Sequence, residues 1–488
     1  MTIEELKEKL KFIKKMKCET QNVELKSAKL GCPKKLYDTL SSFSNQDDGG
    51  IIIFGIDEED DFNECGVYDA QDLQKRVNEQ CIQMEPHVRP LFTVLEIDGK
   101  CIVAAEIPGI DVADRPCYYS GRGRLKGSYI RVGDSDEPMT EYEIYSYEAF
   151  RKKRQDDVRE VPRATLKTLN SEKLEDYIAK MKVGKPNLAT LSDENIYELI
   201  GITRNGSPTL TAVLLFCLYP QVYFPQMCIT AVVVPGTEIG ETGTRGERFS
   251  DNQRIEGTIP EMLEGAISFI TRNMRHMTII DPNTGKRKDQ SDYPILALRE
   301  AIINALVHRD YSEHTENMPI QILIFDDRIE IRNPGGLYGR IKIDQLGKVQ
   351  PDTRNPVLAF ALEILGITEN RYSGIPVIRQ SFREYGLPEP EFSEERGNFV
   401  VRFYKEADSS ATATADLDDK TKELLYFCQT PRTRKEICEY LDLTSSAYAI
   451  QTYITPLVES NLINLSIPDK PRSSKQKYST AEHIIKLL

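Results

Sequence analysis

The stretch ALREAIINALVHRDYS, residues 297–312, carries the pattern that decides the fold of the middle of the chain. Apolar residues recur along it at helical spacing and predict a buried face, whereas Glu300, Asn304 and His308 follow one another at four-residue intervals on another face. Such a polar stripe is commonly the solvated side of an amphipathic helix. The alternative is that the stripe faces a ligand, and the flanking sequence bears on that choice.

Two nucleotide-enzyme classes are disfavoured by their motifs. The letters HRD at 308–310 suggest a protein-kinase catalytic loop, but Thr315 stands where that loop needs asparagine, and no DFG or VAIK-like strand accompanies it. No GxxxxGK[ST] occurs anywhere in the sequence, so a P-loop helicase motor is also disfavoured. The polar stripe therefore needs a different explanation.

The bulk properties describe a globular protein of several domains. A chain of 488 residues is too long for a single hydrophobic core. Its net charge of −13 argues against a surface that is uniformly basic for nucleic-acid binding. No apolar run approaches the ~20 residues of a membrane span. The start has a capping box at Thr2 and Glu5 and no signal-peptide pattern, and the ten cysteines include no CxxC. We expect a cytoplasmic location with free thiols and no membrane partner.

The sequence after the polar helix continues with a strand pair, QILIFDDRIEIRNPGGL at 321–337, then a helical RNPVLAFALEILGI at 354–367, then RYSGIPVIRQSFREYGL from 371. This order of helix, strands, glycine turn, helix, glycine-containing lid and helix resembles the GHKL class of ATP-binding modules. More closely, it resembles the C-terminal half of bacterial proteins labelled transcriptional regulators or RecG-related helicases. The resemblance implies a GHKL-like α/β sandwich.

The same resemblance assigns roles to individual residues. Glu300 would polarise an attacking water, and Asn304 would hold Mg²⁺ against the phosphates of ATP. The residues expected at the nucleotide are Asn304, Asn333, Gly335, Gly336 and Gly374. Asn333 stands where the class has an adenine-binding aspartate, and Gly374 is the single glycine of the lid. The resemblance thus supports binding of ATP with Mg²⁺ more than its hydrolysis.

The N-terminal part contains CETQNVELKSAK at 18–29, SSFSNQDDGGIIIFGID at 41–57 and YIRVG at 129–133. This combination resembles the Schlafen-type AlbA-like domain, whose members bind DNA or RNA and some of which cut RNA with an acidic triad. Glu19, Glu24 and Asp57 match that triad and are the candidates for catalysis with Mg²⁺ or Mn²⁺. The alternative is that Glu24 and Lys26 are simply exposed positions of an edge strand.

A basic segment, GRGRLKGSYIR at 121–131, lies close to three tyrosines at 118, 119 and 129. Basic side chains neutralise phosphates and tyrosines stack on bases, so the combination suits nucleic acid. A solvated hairpin loop is the competing interpretation. The candidate contacts of the N-terminal part are Lys26, Arg122, Arg124, Lys126 and Arg131.

The C-terminal sequence predicts three helices and a strand-turn-strand, which is winged-helix organisation with Ser445 or Ser446 capping the third helix. Because basic residues are concentrated in the wing, phosphate contact is expected there. These residues are Lys470, Arg472, Lys475 and Lys477. A protein-protein role is the alternative for this domain.

The prediction is a multidomain α/β and α+β protein. Its parts are an AlbA-like domain at 1–158, a connecting α/β region at 159–290, a GHKL-like domain at 291–404, a linker at 405–417 and a winged helix at 418–488. The leading hypothesis is a nucleotide-responsive, DNA-binding transcriptional regulator, with DNA favoured over RNA as the partner. The sequence leaves the choice between a monomer and a homo-oligomer open. The alternatives are a metal-dependent nuclease using Glu19, Glu24 and Asp57, and a scaffold with a vestigial nucleotide pocket.

Overall fold

A computed structural model describes most of the chain. The described residues are 1–280, 287–368, 373–405, 419–441, 443, 449–459, 462–467, 473 and 476–481. The chain divides into two compact units, the first made of Met1–Ile110, Pro116–Ile144 and Ala407–Leu488, and the second of Asp111–Arg115 and Tyr145–Glu406. Among the described residues, no helix is long and apolar enough to span a bilayer.

The first unit is built on a four-stranded sheet. Its helices before residue 140 are α1 (Ile3–Met16), α2 (Tyr37–Ser44), α3 (Ala70–Cys81) and α4 (Gly123–Gly127). Its strands there are β1 (Val23–Lys26), β2 (Gly50–Phe54), β3 (Ile56–Asp57), β4 (Asn63–Glu64), β5 (Met84–Glu85), β6 (Leu91–Ile97), β7 (Lys100–Ile107), β8 (Tyr118–Tyr119), β9 (Tyr129–Val132) and β10 (Ser135–Pro138). The sheet order is β1-β2-β7-β6, with β1 parallel to β2 and the other pairs antiparallel.

The continuous β-branched run of β2 is explained by burial on both faces of this sheet. Ile52 and Phe54 belong to the core shared with α2 and α3, whereas Ile53 belongs to the core shared with α1. A strand covered on both sides needs apolar residues at every position, which is why alternation is absent. The predicted capping box of α1 is confirmed, because Thr2 and Glu5 bond each other's backbone.

The C-terminal segment of the first unit forms a small domain around its own core. Its elements are α13 (Asp419–Phe427), β21 (Arg432–Thr433), α14 (Arg434–Tyr440), a π-helical turn (Ile450–Ile454), α15 (Thr455–Glu459), β22 (Ile463–Leu465) and β23 (Lys477–Thr480). The three strands form one sheet in the order β21-β23-β22. Met16 of α1 packs into the core formed by these elements. The predicted cap at Ser445 or Ser446 lies outside the described residues.

The second unit contains a six-stranded sheet. Its helices are α5 (Glu141–Arg151), which continues from the first unit, α6 (Ser171–Gly184), α7 (Asp193–Leu199), α8 (Leu210–Phe216), α9 (Ile259–Asn273), α10 (Ile295–His308), α11 (Pro356–Ile364) and α12 (Gly374–Tyr385). Its strands are β11 (Thr203–Arg204), β12 (Ser207–Pro208), β13 (Ile229–Val233), β14 (Asp251–Ile255), β15 (His276–Ile280), β16 (Arg287–Ser291), β17 (Ile320–Ile324), β18 (Arg328–Pro334), β19 (Glu391–Glu395) and β20 (Asn398–Tyr404). The sheet order is β14-β13-β17-β18-β20-β19.

Two apolar runs in the connecting region are predicted equally as helix or strand, and the structure distinguishes them. Thr209 caps the first run as α8, whose seven residues are all buried. The second run becomes β13, which pairs in parallel with β17 and antiparallel with β14. The connecting region therefore contributes two strands to the same sheet as the predicted nucleotide module. Helices α9, α10 and α12 pack into one core with that sheet.

Candidate functional site

The polar stripe of α10 meets the start of α12. Asn304 Nδ2 donates to Glu300 Oε1 at 3.3 Å, and both side chains are half-buried. A Cβ added to Gly374 would overlap Glu300 Oε1 and lie 2.8 Å from Asn304 Nδ2. The structure thus brings together Glu300, Asn304 and Gly374, which are three of the residues assigned to a nucleotide by resemblance. A larger residue at 374 would therefore displace the ends of these two side chains.

Asn333 lies buried near the end of β18. It follows Ile329 and Ile331 by alternation, so its side chain points to the sheet face that packs on α10. Among the described residues, its Oδ1 atom has no hydrogen-bond partner. A buried acceptor without a donor costs about 1–3 kcal/mol, so such atoms commonly indicate a ligand contact. An amide oxygen in this position suits the amino group of an adenine.

The NPGG turn is packed against protein side chains. Gly335 has φ +99, and a Cβ there would lie 2.5 Å from Arg354 Nη1 and 2.6 Å from Asp310 Cβ. A Cβ at Gly336 would overlap the Glu394 carboxylate instead. Both glycines are thus explained by close approach within the protein. Their contact with a nucleotide stays a prediction.

His308 ends α10 on the predicted stripe, one turn beyond Asn304. The adjoining backbone N–H of Asp310 donates to Pro334 O at 3.0 Å, so this end of α10 lies at the NPGG turn. His308 is exposed, yet desolvation by the surrounding protein, with a smaller effect of the Arg354 charge, lowers its pKa to about 4. With this pKa the ring is neutral at pH 7.

The rest of the HRD sequence is structural. Arg309 is fully buried, and its Nη2 donates to Thr315 O at 2.8 Å and Met318 O at 2.7 Å. Asp310 pairs with Arg354 at 3.0 Å. The role of Arg354 has no sequence signal, because a single arginine shortly before a helix that begins with proline looks like any surface residue. Its burial depends on a partner 44 positions away in the chain.

The predicted acidic triad of the N-terminal part is only partly assembled. Arg131 Nη1 lies 2.9 Å from Glu24 Oε2, and Arg131 Nη2 lies 3.6 Å from Glu19 Oε2. Asp57 is absent from these contacts, and its Oδ1 accepts the backbone N–H of Glu59 at 3.2 Å. Across the described part of the chain, no three His, Cys, Asp or Glu side chains are grouped to hold a metal ion. The arrangement therefore does not fit a metal at Glu19, Glu24 and Asp57.

Glu19 is electrostatically unusual within this group. Burial, with smaller effects of the nearby Glu24 and Glu58 carboxylates, raises the pKa of its carboxyl to about 8. The backbone N–H of Leu25, which donates to Glu19 Oε1 at 2.5 Å, opposes that effect.

Only part of the predicted basic segment is accessible. Arg122 and Lys126 are exposed at α4, a short helix in place of the hairpin loop considered from sequence. Arg131 requires a correction as a phosphate contact, because its side chain is 1% exposed and ion-paired. Lys26 is half-buried and pairs with Glu24, so its positive charge is already compensated.

The neighbouring tyrosines are also engaged within the protein. The Tyr119 ring stacks on Tyr37, with 3.8 Å between centroids. Tyr129 is buried, and its hydroxyl accepts from Arg122 at 2.8 Å. The Arg124 guanidinium lies over Tyr118 at 5.3 Å. The segment therefore presents cations more readily than free aromatic faces.

The wing predicted for the C-terminal part is described only at its edges. Lys477 is exposed at the start of β23. The other predicted phosphate contacts, Lys470, Arg472 and Lys475, lie outside the described residues.

A separate cavity of about 700 Å³ lies in the second unit, lined in part by Val158, Met181, Lys185, Gly201 and Phe360. None of the residues assigned by sequence lines it. Lys185 Nζ stands 4.3 Å from the centroid of the Phe360 ring. The cavity is therefore distinct from the Glu300 site and has no sequence motif attached to it.

Family comparisons match four parts of the chain. Residues 19–140 match "Schlafen, AlbA_2", and residues 317–403 match HATPase_c_4, described as "Putative ATP-dependent DNA helicase recG C-terminal". Residues 419–480 match "Filamentation induced by cAMP protein Fic-like, C-terminal domain", and residues 147–230 match a domain of unknown function. The HATPase_c_4 match includes Asn333 and Gly374 and begins after the end of α10.

Comparisons with whole proteins add less. No curated protein matches the chain. A crystal structure of a Corynebacterium diphtheriae protein is 19% identical, with a TM-score of 0.39, and the match covers 96% of this chain and 93% of that one. The N-terminal domain of a RecG-related protein from Nitrosomonas europaea, solved by NMR, is 26% identical with a TM-score of 0.22, covering 27% of this chain and 90% of that one.

Proposed function

Because the chain combines a Schlafen AlbA_2 domain with a RecG-related HATPase_c_4 domain, we propose that it is a nucleotide-responsive, nucleic-acid-binding regulator. In this proposal ATP binds at the Glu300 face of the second unit. The N-terminal and C-terminal domains contact nucleic acid, with DNA favoured over RNA. Transcriptional control is the expected consequence.

The observation that carries the nucleotide part is the convergence of polar groups from three elements on one side of the sheet. Glu300 and Asn304 of α10 meet Gly374 of α12, and Asn333 of β18 points to the α10 side with an oxygen that has no partner among the residues described. Helices α10 and α12 and strand β18 are separate in sequence, and they come together only in the folded protein. A purely structural polar stripe gives no reason for a buried unpaired amide oxygen on the same side.

The residues present fit a nucleotide with Mg²⁺ in their chemistry. Asn333 would accept the adenine amino group, and Asn304 would supply an amide oxygen to the metal. A bound Mg²⁺ would neutralise phosphate charge. Glu300 would orient or deprotonate a water molecule. The neutral His308, one turn further along α10, offers a hydrogen-bonding group without adding positive charge.

The nucleic-acid part is supported by exposed cations and by the order of the C-terminal elements. Lys126 is exposed at α4, and Arg122 is exposed beside it and pairs with Asp38 at 3.4 Å. The C-terminal order of helix, strand, helix, helix, strand and strand, with the three strands in one sheet, is the order expected of a winged helix. Lys477 stands exposed at the edge of the predicted wing.

The nucleotide part is tested by calorimetric titration of the full chain with ATP, ADP and GTP in the presence of Mg²⁺. We expect ATP and ADP to bind wild type, and Asn304→Ala to weaken ATP more than ADP because its proposed contact is to the metal-phosphate group. Glu300→Gln should keep binding and abolish any hydrolysis. Asp344→Asn, on an exposed 3₁₀ turn of the same unit, serves as the matched surface control. Absence of ATP binding by wild type would contradict the proposal.

The nucleic-acid part is tested by fluorescence anisotropy with labelled single-stranded DNA, duplex DNA and RNA across a salt series. Because each phosphate contact contributes about 0.7–0.9 to the slope of log K against log salt, Lys126→Ala should lower that slope by about 1 at most. Lys167→Ala, an exposed lysine of the second unit, is the control. Repeating the titration with ATP and Mg²⁺ tests whether the nucleotide changes the affinity for nucleic acid. An unchanged affinity for nucleic acid would contradict regulation by the nucleotide.

A further inference from the structure

We propose that the guanidinium of Arg131 takes the place that a divalent cation occupies in a metal-dependent acidic site, so that the AlbA_2 domain binds nucleic acid without metal and does not cleave it. The inference deepens the proposed function and rests on its nucleic-acid part. It is carried by the arginine-centred cluster, which consists of Glu19, Glu24, Arg131 and Asp136.

The positive charge of Arg131 lies among the carboxylates of the cluster. Arg131 Nη1 lies 2.9 Å from both Glu24 Oε2 and Asp136 Oδ1, and Nη2 lies 3.6 Å from Glu19 Oε2. The Arg131 side chain is 1% exposed, whereas the three carboxylates are 10–13% exposed. The permanent cation therefore lies behind carboxylates from three sequence positions, at the point where their oxygens converge. A divalent cation at the same point would be repelled by a guanidinium that does not lose its proton.

Protein donors already occupy the carboxylate oxygens of the cluster. Asp136 accepts from Thr39 Oγ1 at 2.6 Å and from Ser42 Oγ at 2.5 Å. Glu24 accepts from Lys26 Nζ, and Glu19 Oε1 accepts from the backbone N–H of Leu25 at 2.5 Å. Hard cations need several free oxygen ligands at one centre. Here those ligands are used in ion pairs and hydrogen bonds within the domain.

The cluster also joins three elements of the first unit. It connects the strand that carries Glu24 to the hairpin that carries Arg131 and Asp136, and it reaches α2 through Thr39 and Ser42. The Arg131 guanidinium also lies 5.1 Å from the Phe43 ring centroid of α2. Because β9 follows α4 directly, the cluster fixes the base of the segment that exposes Lys126. The acidic residues thus position a binding surface.

The test is thermal unfolding of the full chain with Mn²⁺, with Mg²⁺ and with EDTA at matched ionic strength. A ligand that binds only the folded state raises Tm. We expect wild type and Glu24→Gln to show no metal-dependent rise. Arg131→Gln should gain a rise with Mn²⁺, because the carboxylates lose their counter-charge, and Arg131→Gln combined with Glu24→Gln should lose it again. A rise in wild type that Glu24→Gln abolishes would overturn the proposal.

Nucleic-acid binding gives a second readout that does not depend on the folding of the Arg131 variant. Wild type should bind labelled single-stranded nucleic acid with the same Kd, within about twofold, in EDTA and in Mn²⁺ at equal ionic strength, and should leave it intact. A loss of more than about tenfold in EDTA, or Mn²⁺-dependent cleavage that Glu24→Gln abolishes, would overturn the proposal. If no nucleic acid binds under any condition, the proposed function fails, while the Tm series still decides the role of Arg131.

Discussion

Arg354 Nη1 lies 3.0 Å from Asp310 Oδ2, and both side chains are less than 10% exposed. The pair joins the end of α10 to the residues before α11, and Arg354 Nη2 also donates to Gly336 O at 3.0 Å in the NPGG turn. The turn that carries Asn333 is thereby held against the helix that carries Asn304. A buried ion pair thus connects the two groups of residues proposed to bind the adenine and the phosphates.

Removing one member of this pair should destabilise the second unit strongly. Asp310→Ala leaves a buried guanidinium uncompensated, and the expected loss is about 3–5 kcal/mol in the free energy of unfolding. Arg354→Met combined with Asp310→Ala should recover part of that loss, because the double variant buries no unpaired charge. Urea denaturation of wild type, Asp310→Ala, Arg354→Met and the double variant forms a double-mutant cycle. Equal and additive losses would show that the pair is not coupled.

Gly374→Ala should impair nucleotide binding more than stability. The added Cβ would overlap Glu300 Oε1 and approach Asn304 Nδ2, so both side chains must move from their present positions. We expect at least a tenfold rise in the Kd for ATP, about 1.4 kcal/mol, with a smaller change in Tm. Ser373→Ala is the control, since the Ser373 side chain makes no capping bond to α12. Unchanged ATP affinity in Gly374→Ala would contradict this prediction.

Replacing Asn333 should separate stability from function. Asn333→Leu removes an Oδ1 that has no partner in the described part of the chain, and it keeps a similar volume on the face shared with Ile329 and Ile331. The free energy of unfolding should therefore rise by about 1 kcal/mol. The same variant should lose affinity for ATP and ADP alike, because its proposed contact is to the base. Calorimetric titration with both nucleotides and urea denaturation measure the two effects. A variant that is less stable, with unchanged binding, would indicate a structural role for Asn333.

Asp157 should make stability depend on pH below neutrality. Burial, together with a smaller effect of Asp156, raises the pKa of its carboxyl from 3.8 to about 6, although its Oδ2 accepts the N–H groups of Val357 at 2.9 Å and Leu358 at 3.1 Å. Because the folded state holds the proton more tightly than the unfolded chain, the contribution of Asp157 to stability falls as pH rises from about 4 to about 6. Its size is on the order of 3 kcal/mol.

Asp157→Asn tests that dependence, since the amide keeps an acceptor for the start of α11 and cannot ionise. The difference in free energy of unfolding between wild type and Asp157→Asn should change over this pH range and level off above it. Asp176→Asn, an exposed position on α6, is the control for general charge effects. A difference that is independent of pH would show that Asp157 has its ordinary pKa in the fold.

Short-range patterns account for most of what was predicted correctly. Helical spacing gives α10 and α12, alternation gives the β17–β18 pair, and the Thr2–Glu5 capping box starts α1. The apolar runs at 210–218 and 229–234 could not be assigned, because a short buried segment has the same composition in a helix and in a strand. Pairing with β14 and β17 decided the second of them.

The sequence by itself determined the identities of the chemical groups and their local elements, including the Glu300–Asn304 spacing and the carboxylates at 19 and 24. Only the tertiary structure decided what those groups meet. It placed Gly374 against Asn304, left the Asn333 oxygen without a partner in the described residues, and buried Arg131 beside Glu19 and Glu24, which the alternative hypothesis assigned to a metal. The physical reason is that burial and charge compensation depend on residues far apart in the chain, which spacing along one element does not encode.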